Sequence, residues 1–128
     1  MIVELNELAT KIFEGNKEKG FWDDSPRDIN DKKDVALKLM LIVSELGEAM
    51  EAHRKGRFAV YETNNLNDMM SFDEYFEKTT KDTFEDEIAD TIIRLFDMCG
   101  GLNINIGRHI QQKLIYNGNR PKLHGKKY

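Results

Sequence analysis

The sequence predicts an all-α protein, an antiparallel bundle of four main helices with one short inserted helix. Three observations lead there. Only two prolines interrupt the 128 residues, and Glu, Lys, Leu and Asp are abundant. Residues 39–52 and 84–98 each carry an apolar stripe with helical period. No segment shows sustained strand alternation; the short run LNINI, 102–106, is too isolated to build a sheet.

The first helix is expected over residues 2–19, with Ile2, Leu5, Leu8, Ala9, Ile12 and Phe13 on one face. Gly15 and Gly20 bracket its end, and GFWDDSPRDIN follows with turn chemistry and a Ser-Pro stop. Trp22 in this loop carries two readings, a cap over the core or a ring lining a ligand pocket. Asn30 or Asp31 can cap the second helix, which runs to Arg54 or Lys55 before Gly56. His53, Arg54 and Lys55 complement the negative end of its dipole.

Residues 56–81 form an inserted segment. YETNNLNDMMS is polar and turn-like, and Ser71 with Glu74 makes a capping box for a short helix through Lys78. Asp82 and Glu85 repeat that pattern before the next main helix, which ends near Gly100-Gly101. The last helix spans roughly Arg108 to Tyr116, and residues 117–128 form a basic tail. There is no internal repeat, and the chain reads as one domain, 1–128.

The two central helices each bear a carboxylate pair three residues apart, Glu45 and Glu48 in SELGEAM, Glu87 and Asp90 in DEIADTI. Measured from the centre of its own stripe, each pair is displaced in the same rotational sense. Antiparallel packing through the stripes would therefore gather all four acids on one side of the contact. Four carboxylates in a small volume repel unless protons or cations neutralise them. All donors are oxygen, with no His or Cys on those faces, so zinc and copper fit poorly. A di-iron bundle would need Glu-x-x-His on two helices, and that pattern is missing. Magnesium, or manganese, fits such a donor set and is usually bound together with substrate phosphates.

Charge is distributed unevenly. All 23 acids lie before Met98, whereas the stretch after it holds six of the 19 bases, within a net charge of −4. An acidic body suits nucleic acid poorly, but an acidic centre beside a basic tail suits a small polyanion. Lys113, Asn117 and Arg120 offer a point charge, an amide and a bidentate fork to phosphate, with Lys126 further along. No apolar run approaches the roughly 20 residues that span a bilayer. The N-terminus does not read as a secretory signal. The single cysteine, Cys99, cannot close an intrachain disulfide, which predicts a reducing, cytoplasmic setting. As a small residue on an apolar stripe, it reads as core.

Together, Glu45-x-x-Glu48, Glu87-x-x-Asp90 and the ending KLIYNGNRPKLHGKKY resemble the MazG-like all-α nucleoside triphosphate pyrophosphohydrolases. The resemblance covers residues 35–55 and 82–128. It implies a helical fold that assembles as a homodimer or homotetramer. It implies magnesium held by Glu45, Glu48, Glu87 and Asp90. It also implies cleavage of an NTP or dNTP to monophosphate and pyrophosphate. Glu48 is the expected catalytic base, and Lys113, Asn117, Arg120, Lys126 and Trp22 the expected substrate contacts. One departure is the interval of 38 residues between the acid pairs, from Ala49 to Asp86, longer than usual. Met69, Met70, Phe72, Tyr75 and Phe76 in that interval are candidates to cover a neighbouring subunit. Two readings compete with the enzyme: a non-catalytic helical oligomerisation module with solvated acid pairs, and a nucleotide-binding module that does not hydrolyse.

Overall fold

The computed structural model of the protein describes residues 1–61 and 70–121. It is all-helical, with five helices and no strand among the described residues. These are α1 (Ile2–Glu18), α2 (Lys32–Arg54), α3 (Phe72–Thr79), α4 (Phe84–Gly101) and α5 (Ile106–Gly118). Among the described residues, no helix is long and apolar enough to cross a membrane.

The starts of α2, α3 and α5 follow from side-chain caps. Asp31 accepts the Asp34 N–H at 2.9 Å, Ser71 that of Glu74 at 3.2 Å, and Asn105 that of Arg108 at 3.1 Å. At α4 the cap lies one residue later than the spacing of Asp82 and Glu85 predicts. Asp82 adopts a left-handed φ of 62°, Thr83 Oγ1 accepts the Asp86 N–H, and Asp86 reaches back to the Asp82 N–H at 2.9 Å. The exit of α2 uses Gly56 at φ 67°, which lets the Arg57 N–H return to the Ala52 carbonyl at 2.9 Å.

The chain divides into two compact units, Met1–Ile29 with Phe96–Tyr128, and Asn30–Leu95. In the first, α1 crosses α5 at close range. A Cβ at Gly107 would strike the Ile2 carbonyl, and Asn6 fastens the crossing by donating to Asn105 Oδ1 and accepting the Gly107 N–H. Gly100 and Gly101 close α4, which ends at Gly101 as expected, and they also pack it tightly. A Cβ on Gly100 would meet the Ala9 carbonyl and Phe13, and one on Gly101 would meet the Trp22 ring. The chain turns away just beyond, where Asn103 takes the left-handed position at φ 58° and the Ile104 N–H bonds the Cys99 carbonyl. LNINI is therefore a helix exit followed by the cap of α5, with no strand. Buried Cys99 belongs to this small core with Ala9, Phe13, Trp22 and Leu102.

In the second unit, α2 and the first half of α4 run antiparallel. The His53 ring near the end of α2 lies 5.3 Å from that of Phe84 at the start of α4, while Glu45 meets Arg94 three turns later. Phe58 completes a three-ring cluster with His53 and Phe84. The stretch after α2 is tied down by hydrogen bonds from and to its backbone. Val60 N–H reaches the Thr79 carbonyl, Phe84 N–H the Arg57 carbonyl, and Ala59 N–H the Glu85 carboxylate, each at 2.9 Å.

Candidate metal centre

The antiparallel pairing of α2 with α4 brings three of the four expected acids together. Glu45, Glu87 and Asp90 each offer a carboxylate oxygen, and these lie within 4.8 Å of one another. Glu87 is 7% exposed and Asp90 half-buried, so the charges gather where water screens them weakly. Burial raises the Glu87 carboxyl to about 7, assisted by the charge of Asp90 and by a hydrogen bond with Glu45. Asp90 is also raised, chiefly by burial and then by Asp86 and Glu45, with Arg94 acting in the opposite direction. A proton or a divalent cation would relieve this repulsion.

Glu48 is exposed and lies outside that cluster. It sits one turn after Glu45 and nearly one step further round α2, away from the α4 contact. A second group forms where the chain enters α4: Asp82, Asp86 and Glu87 also place oxygens within 4.8 Å, so Glu87 belongs to both. The pairs at three-residue spacing do not point to Asp82 or Asp86. Their signal is the density of acids in DTFEDEIAD, read as a helix entry.

Arg94 is the other group that the acid spacing does not reveal. Its Nε lies 2.7 Å from Glu45 Oε1, a contact between residues 49 apart in sequence. Arg94 falls one turn after Asp90 and two after Glu87, so the helical period does place it on the acid face. It supplies one positive charge to a cluster holding three carboxylates. The donor set, all oxygen and partly buried, fits magnesium or manganese, with Arg94 the side chain that an arriving ion would compete against.

The expected substrate contacts lie in the other unit. Lys113 Nζ and the Arg120 guanidinium each stand 5.2 Å from the ring centroid of Tyr116, flanking an exposed aromatic at the end of α5. Asn117 is exposed beside them, and its carbonyl accepts the Arg120 N–H at 3.2 Å. Lys126 lies outside the described residues. Trp22 is 5% exposed; its ring packs edge-on against Phe13 at 5.1 Å and its indole N–H donates to Asp97 at 2.9 Å. Arg27 covers the same cluster, 4.4 Å above Phe13, and donates to the Gly101 carbonyl. Of the two readings of Trp22, this is the geometry of a core cap.

No family model matches the chain, and no curated protein or solved structure matches it.

Proposed function

We propose that the protein is a magnesium-dependent nucleoside triphosphate pyrophosphohydrolase, splitting an NTP or dNTP into monophosphate and pyrophosphate. The observation that carries this reading is the convergence of Glu45, Glu87 and Asp90 on one small volume, with Glu87 buried and its carboxyl raised to about 7. Nothing in the helical packing requires three acids there, and they oppose folding unless neutralised. Magnesium is the ion that such oxygens hold best alongside phosphates, and when bound it neutralises triphosphate charge and acidifies a coordinated water.

The chain's own side chains then divide the work. Glu45, Glu87 and Asp90 position the cation. Glu48, exposed one turn beyond Glu45, is the carboxylate assigned to take a proton from water. The phosphate-neutralising role is assigned, on the resemblance alone, to Lys113, Asn117, Arg120 and Lys126. The resemblance in residues 35–55 and 82–128 supports the same division and a homodimer or homotetramer, and the single cysteine supports a cytoplasmic setting.

One contact favours a non-catalytic reading. The Arg94–Glu45 pair already compensates part of the acid charge, as a purely structural network would. Product analysis separates the two. Purified protein with magnesium should release pyrophosphate, and not orthophosphate, from at least one member of a panel of canonical and modified triphosphates. A helical module releases neither. A binding module is stabilised by magnesium with a non-hydrolysable nucleotide yet turns nothing over.

A further inference from the structure

Along α2, the residues at 34, 38, 42, 45, 49 and 52 are buried or half-buried. Two of them are charged and lie outside the acid cluster. The Lys38 ammonium donates to Asp34 at 2.8 Å, and the two side chains are only 16% and 12% exposed, while Leu37, Leu39 and Met40 around them stay exposed. A buried ion pair is weak support for a fold, since apolar side chains of similar volume often stabilise as well or better. Stability alone therefore does not explain why charge turns inward here and leucine outward. Lys38 stands two turns before Glu45, within roughly 20° of it round the helix and about 10 Å along the axis. At about a Debye length, its ammonium does little to neutralise the acid cluster. No acid lies between the two on α2, where residues 39–44 read LMLIVS.

The first half of α4 carries the same polarity. It runs antiparallel to α2, so the turn after Asp90 lies toward Lys38, and that turn holds Arg94, bonded to Glu45. The turn before Glu87 lies the other way and holds Asp82 and Asp86. Charge along this contact thus runs from Asp82 and Asp86, through Glu87, Asp90 and Glu45, to Arg94 and then Lys38.

We infer that Lys38 binds the terminal phosphate of the substrate: the triphosphate, anchored at the acid cluster through its cation, extends along α2 toward the helix N-terminus, passes Arg94 and ends on the Lys38 ammonium. This rests on the proposed reading of the acid cluster and adds to it a residue and a direction. Repulsion sets the direction, because a polyanion extended the other way meets Asp82 and Asp86. The γ end lies at Lys38 because it carries the charge and the nucleoside does not. Binding exchanges one charge-assisted bond of the ammonium, to Asp34, for another, to a phosphate oxygen. Asp34 therefore holds Lys38 in place and competes with the substrate for it. Pyrophosphate, the part of the substrate beyond the bond to be cleaved, contains the whole of this contact and serves as its probe.

Titration calorimetry of the full chain with magnesium pyrophosphate tests it, beside manganese binding measured without phosphate. Lys38→Met should weaken pyrophosphate about tenfold or more and leave manganese binding as it was. Lys38→Arg, which keeps the charge, should restore most of the affinity. Asp34→Asn, which removes the competitor, should tighten pyrophosphate several-fold. The double variant Asp34→Asn with Lys38→Met strands no charge, so it keeps the test open where the single lysine variant does not fold, and it should bind as weakly as Lys38→Met. A structural ion pair would behave otherwise: both single variants would lower the melting temperature and neither would shift pyrophosphate affinity in opposite directions. No pyrophosphate binding by the unmodified protein, equal binding by the double variant, or equal weakening by Asp34→Asn and Lys38→Met would each overturn the inference. The hydrolase reading is judged separately. Triphosphate cleavage with pyrophosphate binding that ignores Lys38 sinks the inference alone, and Lys38-dependent binding without cleavage of any triphosphate upholds it while the hydrolase reading falls.

Discussion

The Arg94 guanidinium stands 2.7 Å from Glu45 across the α2/α4 contact, inside a group of carboxylates that includes buried Glu87. The pair is partly exposed, so its net contribution is about 1 kcal/mol. Arg94→Met should lower the melting temperature of the metal-free protein by a few degrees. The same substitution removes the cation that magnesium must compete with, so the stabilisation by magnesium should grow. Differential scanning fluorimetry with and without the ion reads both effects. A smaller magnesium response in Arg94→Met would mean that the arginine assists the ion.

Glu87 makes stability depend on pH in an unusual direction. Its folded carboxyl sits at about 7, above the ordinary value of 4.5. Between those values the unfolded chain has lost the proton and the folded chain keeps it, so the contribution of Glu87 falls as pH rises. Without metal, the melting temperature should therefore drop from pH 5 to pH 8, and Glu87→Gln should flatten that slope. Magnesium, which needs the deprotonated form, should stabilise more at pH 8 than at pH 5. A metal-free melting temperature that climbs over this range would show that other groups govern it.

Glycines divide into those that allow contact and those that do not. Gly100→Ala must push against the Ala9 carbonyl and Phe13, and Gly107→Ala against the Ile2 carbonyl, so each should cost about 1–3 kcal/mol. Gly15, inside α1 with open space around it, should tolerate alanine and gain roughly 0.5–1 kcal/mol. Urea titration of the three variants orders them. Equal effects would mean that the close crossings are looser than described.

These glycines also mark where the sequence was legible and where it was not. The helices could be read because their stripes are periodic and because Asp31, Ser71 and Gly56 are local signals that act within one turn. The Gly100-Gly101 pair reads locally as a stop, and α4 does end there, but only the approach of Ala9, Phe13 and Trp22 shows that it is also a packing device. The site divides along the same line. Glu45, Glu87 and Asp90 were legible because rotation sense on two antiparallel helices is a property of spacing alone. Arg94 and Asp86 were not, because which neighbour on a helix face turns inward depends on the partner helix. Glu48 shares the spacing of Glu45 but sits further from α4, a difference of angle that a motif does not record.

Trp22 is the only tryptophan in the chain, so its fluorescence reports on one place. Its bond to Asp97 and its packing on Phe13 predict blue-shifted emission that saturating nucleotide leaves unchanged. Trp22→Phe should destabilise the fold by about 1–3 kcal/mol with little change in substrate KM. Strong quenching by nucleotide would place the ring in the binding site.

The account rests on Glu45, Glu87 and Asp90 holding a divalent cation. Manganese titration followed by electron paramagnetic resonance measures that most directly, because bound and free ion are distinguished without catalysis. The unmodified protein should bind manganese competitively with magnesium, and Glu87→Gln should weaken binding at least tenfold while the helical circular dichroism stays intact. Equal binding by the two proteins, or none by either with a non-hydrolysable nucleotide present, would contradict it.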